Sequence, residues 1–139
     1  MNINQMDLAA ACGVSQSNIS EWLQTMHASH RVDDEAALLA LTVAQLRLHG
    51  FTGPVAARLV GEMRKYIEFA AIKTSNQAWA AFFDFEGRQH CVAAVSTTNL
   101  AAIMASKPVC LVIALHELVA RAAERLEELK ATKQEAANA

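Results

Sequence analysis

Apolar positions recur at helical spacing through the first half of the chain and fall into short strand-like runs in the second. Leu8, Ala9 and Cys12, then Ile19 and Trp22, predict two short helices joined by a turn at Gly13. Ala9 is small where the helices must touch, and Gly13 sits where the turn needs a positive φ. Val14 can plug the gap between them, and Ser15 is a good N-cap because its hydroxyl accepts an otherwise unpaired backbone N–H. Residues 33–48 predict a third helix with acids in its first turn, stopped by Gly50. Another starts near Thr52, with Pro54 in its first turn, and runs to about residue 72.

Residues 73–77 are polar and read as a linker, after which the period changes. Runs 78–85 and 90–96 flank Glu86–Gly87–Arg88 and predict a β-hairpin. Thr98 or Asn99 then caps a short helix that Lys107–Pro108 breaks. Residues 109–115 read as a buried strand or as the start of the next helix, which runs from about 116 to 132. Within it Leu115, Val119, Ala122, Leu126 and Leu129 follow coiled-coil spacing, a stripe for packing on the domain's own sheet or on a second copy. The expected fold class is α+β, with an N-terminal helical domain over 1–73, a small hairpin-helix-strand-helix domain over 77–132, and a flexible tail over 133–139.

Composition narrows the classes. Apolar residues make up 53% of 139 residues, too many for disorder, and the net charge of −2 gives no global pull towards nucleic acid or membrane. No apolar run reaches transmembrane length, and the N-terminus lacks the basic start and apolar core of a signal peptide, so a cytoplasmic location is expected. Cys12, Cys91 and Cys110 are widely spaced and read as small buried hydrophobes, and the five His complete no metal set. There is no phosphate loop or nucleophile elbow, and His90 and Cys91 point to opposite faces of a strand, so no enzyme, cofactor or metal is expected.

The candidate chemistry lies on the second helix. Its outer face carries Gln16, Ser17, Asn18, Ser20 and Glu21 after Ser15, short amides and hydroxyls suited to base edges in a major groove. Residues 1–30 contain no Lys or Arg, and Arg31 is the first base, followed by Arg47, Arg58, Arg64, Lys65 and Lys73. A single copy is therefore expected to bind DNA weakly and to need a partner copy.

The order Ala9, Gly13, Val14, Ser15, Ile19, Trp22 resembles the helix-turn-helix of Cro-like repressors and MerR-like regulators. A second piece is similar to the MerR-like pattern: Arg31, then Leu46, Arg47, Gly50, Phe51 and Thr52 at a turn, then Val55 and Leu59. The resemblance covers residues 3–62. It departs at Val32–Asp33, where an aromatic is usual, and at Gln24–His30, which is short for a β-hairpin wing. It implies a winged or wingless helix-turn-helix in a bacterial-type regulator of transcription, a dimer on double-stranded DNA, with Ser15, Gln16, Ser17, Asn18, Ser20, Glu21 and Arg31 at the interface. The alternative is a protein-binding adaptor or antitoxin-like module on the same scaffold.

Overall fold

The computed structural model describes residues 2–107 and 109–139. It is α+β: among the described residues seven helices accompany a three-stranded antiparallel sheet. The chain divides into two compact units, one of Met1–Arg64 with Leu118–Ala139 and one of Lys65–Glu117.

The first unit begins with α1 (Gln5–Cys12), α2 (Gln16–Thr25), α3 (Asp34–Leu48) and α4 (Gly53–Glu62). The three leading N-termini are capped by side chains that accept backbone N–H groups: Asn4 for α1, Ser15 for α2 and Asp33 for α3. Asn4 and Asp7 complete a reciprocal capping box. α3 is buried on several sides, through Ala36, Ala37, Leu39, Ala40, Leu41, Val43 and Leu46, as expected of a central helix. Its buried hydroxyl, Thr42, donates to the Leu38 carbonyl at 2.8 Å, which removes the cost of an unpaired group.

The same unit takes in most of α7 (Leu115–Asn138). Leu118, Val119, Ala122 and Leu126 are buried within the chain. Lys133 Nζ donates to the Asp7 carboxylate and the Asn2 carbonyl, each at 2.7 Å, and Lys130 Nζ to Asp34 at 2.8 Å. Burying one large apolar side chain is worth about 1.5–3 kcal/mol and a surface ion pair about 0.2–1 kcal/mol. The apolar stripe therefore holds α7, and the lysines choose its direction along the N-terminal ends of α1 and α3.

The second unit holds α5 (Arg64–Ile72, from Lys65 onward), β1 (Trp79–Phe85), β2 (Arg88–Ala94), α6 (Thr97–Ser106) and β3 (Leu111–Ala114), in sheet order β2-β1-β3. β1 pairs antiparallel with both neighbours, Phe85 opposite Arg88 and Trp79 opposite both Ala94 and Ala114. Glu86 and Gly87 both have positive φ, 49° and 76°, as a two-residue hairpin turn matched to strand twist requires.

Several expectations are corrected. The helix expected over 52–72 is broken at Met63, two residues after Gly61, a weak helix former in its interior. The boundary between units falls there and not at 73–77, where Asn76 ties the chain down by donating to the Phe69 carbonyl at 2.8 Å. Ser96, not Thr98 or Asn99, caps α6, because its hydroxyl reaches the Asn99 N–H at 3.1 Å. The strand read over 109–115 is only Leu111–Ala114, since Leu115 already opens α7; the break assigned to Lys107–Pro108 lies partly outside the described residues. α7 continues through Asn138, past its expected end at 132, with Lys133 anchored in place of a free tail. One expectation is not altered: Gln24–His30, read as short for a β-hairpin wing, spans the end of α2 and a loop, with no strand between α2 and α3 among the described residues. The three cysteines are half-buried, not core. The α7 stripe is not an open dimer seam: Leu115, Val119, Ala122 and Leu126 are buried in the single chain and Leu129 is half-buried.

Burial pushes the Asp7 carboxyl up, but hydrogen bonds from Lys133 and the Asn4 N–H, with the Lys133 charge, hold it below its ordinary value. Its contribution is present above the ordinary carboxylate range and is lost as pH falls through the lowered value. The hydrogen bond to Asp34 holds Lys130 above its ordinary value despite some desolvation, so its contribution is lost as pH rises through that raised value. Replacing Lys130 and Lys133 together with Ala should lower unfolding stability by about 1 kcal/mol, because both pairs are partly solvated. In denaturant titrations the deficit should be widest between about pH 5 and 9 and shrink at both extremes and in molar salt.

Candidate nucleic-acid interface

The site is built on the turn between α1 and α2. Gly13 ends α1 in the left-handed region, with φ 66° and ψ 36°. Val14 N–H then returns to the Ala9 carbonyl at 3.0 Å, which closes the turn and leads the chain into α2. Ser15 Oγ accepts from the Asn18 N–H at 3.2 Å. Ile19 and Leu23 are fully buried and Trp22 is 4% exposed, so one face of α2 is fixed in the core.

That choice of face decides what remains outside. Gln16, Ser17, Asn18 and Glu21 are exposed, along with Ser15, and Ser20 is half-buried. The Ser20 hydroxyl lies 3.4 Å from His30 Nδ1. Arg31 is exposed at the far end of the loop that follows α2. Gln16 and Arg31 line one open groove of about 830 Å³, with Asn2, Gln5, Ser29 and His30 among its other walls. Gln5 braces that loop by donating to the His30 carbonyl at 2.8 Å, and Ser29 donates to the Arg31 carbonyl at 2.7 Å. The structure thus brings Gln16 and Arg31 to one concave surface, while Ser17 and Asn18 are not among its lining residues.

Gln5, Ser29 and His30 are additions to the set expected from the sequence. Their only signal there is polarity at the edges of predicted elements, which most loop residues share.

The basic residues beyond Arg31 divide by role. Arg47 donates to the Cys12 carbonyl at 3.3 Å, at the C-terminal end of α1, and its guanidinium lies 5.6 Å from the Trp22 ring centre. Arg64 donates to the Met26 and His27 carbonyls at 3.1 and 3.0 Å, just past α2, and its Nε donates to Glu35 at 3.0 Å. Both therefore satisfy helix-end carbonyls, which a cation does well at that end of the dipole. Arg58 is exposed, while Lys65 and Lys73 belong to the second unit. Cys12 sits beside Arg47; burial pushes its thiol up to about 11 in spite of the nearby Arg47 and Arg125 charges, which leaves it a neutral, unreactive group.

α2 is seated on α4. A Cβ on Gly53 would lie 2.8 Å from Trp22 Nε1, closer than real contacts allow. Gly53→Ala should therefore displace the indole and destabilise the first unit by about 1–3 kcal/mol, as overpacked cores do. Thermal unfolding read by far-ultraviolet circular dichroism measures this. A variant as stable as the parent would mean that Trp22 can move freely and does not fix α2.

No family model, curated protein or solved structure matches this chain.

Proposed function

We propose that this chain is a sequence-specific DNA-binding regulator of transcription that acts as a dimer and reads the major groove with α2. The observation that carries the reading is the division of α2 into a buried face of Ile19, Trp22 and Leu23 and an exposed face of Gln16, Ser17, Asn18 and Glu21, entered through the capped turn at Gly13. A short helix held by its apolar face against a core, with amides free on the other side, can lay those amides along base edges. Ser15, Ser20 and the N-terminal N–H groups of α2 supply neutral donors for phosphates, and Arg31 supplies a charged one.

Selection of a duplex from a random pool, followed by fluorescence anisotropy, tests the reading. Gln16→Ala with Asn18→Ala should weaken binding by about 1–3 kcal/mol for each bidentate amide–base pairing removed, with the circular dichroism spectrum unchanged. Full affinity in the folded double variant overturns the assignment. Failure to select any duplex favours the other use of the same scaffold, docking of α2 on another protein.

The salt dependence should be shallow. Arg47, Arg64, Lys130 and Lys133 are engaged inside the chain, which leaves few cations for phosphates near α2. A plot of log K against log salt should fall well short of the slope of about −9 that ten phosphate contacts would give. A slope that steep would require these residues to leave their partners for DNA.

A further inference from the structure

We infer that the cavity lined by α1, α3 and α7 is a binding site for a small organic carboxylate, held by the guanidinium groups of Arg47 and Arg125. The cavity measures about 380 Å³, within the range of small-molecule sites, and all its walls belong to the first unit. The site stands apart from the reading of α2 as a DNA helix.

Its walls divide by chemistry. Ala11 from α1 and Leu41, Ala44 and Leu48 from α3 are apolar. Leu48 is 77% exposed, so the chain itself leaves this rim uncovered. Gln45, Arg47 and Arg125 supply the donors, and no Asp or Glu is among the described lining residues. Cys12 adds a neutral wall. Burial raises its thiol, and the charges of Arg47 and Arg125 both act against that rise, so both cations reach the same wall.

Two like charges that face one cavity repel each other. The fold compensates Arg47, whose guanidinium donates to the Cys12 carbonyl. The neighbouring helix-end carbonyls have backbone partners: Ala9 and Ala10 accept from Val14 and Gly13, and Leu46 and Arg47 accept from Phe51 and Gly50. Arg125 has no such internal anchor among the described residues. Its partner is Glu128 at 3.2 Å, one turn along α7, with both side chains exposed, a pair of the kind that contributes little. Each guanidinium spends one of its five N–H donors on these partners. Two planar forks beside an apolar wall suit a carboxylate, taken bidentately, with its hydrocarbon part alongside. A bare inorganic anion leaves the apolar walls uncovered, and an organic cation meets two like charges. Arg47 also lies 5.6 Å from the Trp22 ring centre, so one side chain joins the cavity to the seat of α2.

Titration of the full isotope-labelled chain with benzoate, benzyl alcohol and benzylamine, probes of one shape and different charge, tests the site by nuclear magnetic resonance. Benzoate should shift the amide signals of Ala11, Cys12, Ala44 and Gln45 with a Kd of about 1–10 mM, the range open to so small a ligand. Benzyl alcohol, benzylamine and inorganic phosphate should bind far more weakly. Arg125→Ala should weaken benzoate binding about tenfold, the loss of a charge-assisted hydrogen bond, with unchanged circular dichroism. Glu128→Ala, which removes the competing carboxylate, should tighten it. Arg121→Ala, on α7 but outside the cavity, should leave it unchanged. Should Arg125→Ala not fold, Gln45→Glu makes the same test by placing an acid among the walls, and should abolish binding. No shift with benzoate, equal binding of the three probes, or a folded Arg125→Ala variant with parental affinity overturns the site. Phosphate that binds as tightly as benzoate overturns the carboxylate class. The Trp22 indole N–H should move with the lining amides; an unmoved indole upholds the site and removes its link to α2.

Discussion

The seating of Trp22 on Gly53 is the contact on which the first unit depends. The indole is almost wholly buried, and the backbone of α4 approaches it where no side chain intervenes. This fixes the roll of α2 about its own axis. A helix rolled by one residue, about 100°, would bury Asn18 or Ser17 and expose Ile19. The buried indole therefore selects which side chains face out, and the polar outer face follows from an apolar constraint on the inner one. Arg47 strengthens the seat by lying over the ring while it satisfies the end of α1, so one cation links α1, α2 and α3.

The economy of charge on this unit has a structural cause. Its engaged basic residues are placed at helix C-termini or against acidic N-terminal turns, where each offsets an exposed backbone dipole or a capping carboxylate. A surface that spends its cations inside the fold has a weak long-range field. Recognition by such a surface would rely on short-range hydrogen bonds and on two copies acting together, not on electrostatic capture.

The second unit is built differently. Its sheet has only three strands, and its central strand carries only short side chains at Ala80 and Ala81, both buried. Alanine removes little apolar area from water, so this unit keeps much of its hydrophobic surface outside. The half-buried Phe82 and Phe83, the exposed Phe85 and α6, none of whose residues is fully buried, express one fact: there is more apolar surface than so small a sheet can cover.

Local chemistry was legible in the sequence. The Gly13 turn, the Ser15 cap, the acid-rich start of α3 and the Glu86–Gly87 hairpin each depend on a few adjacent residues, whose φ preference and hydrogen-bonding reach are properties of the residues themselves. So were the outward residues of α2, because helical periodicity assigns faces without reference to a partner. What packs against a stripe was decided only by tertiary structure. The spacing of Val119, Ala122 and Leu126 states that one side of α7 is to be buried, and is silent on whether this chain or another buries it. The same holds for Arg47 and Arg64: a guanidinium in a sequence is equally a phosphate ligand or a helix cap. Only the placement of the Cys12, Met26 and His27 carbonyls, brought in from up to 38 residues away, decides between them.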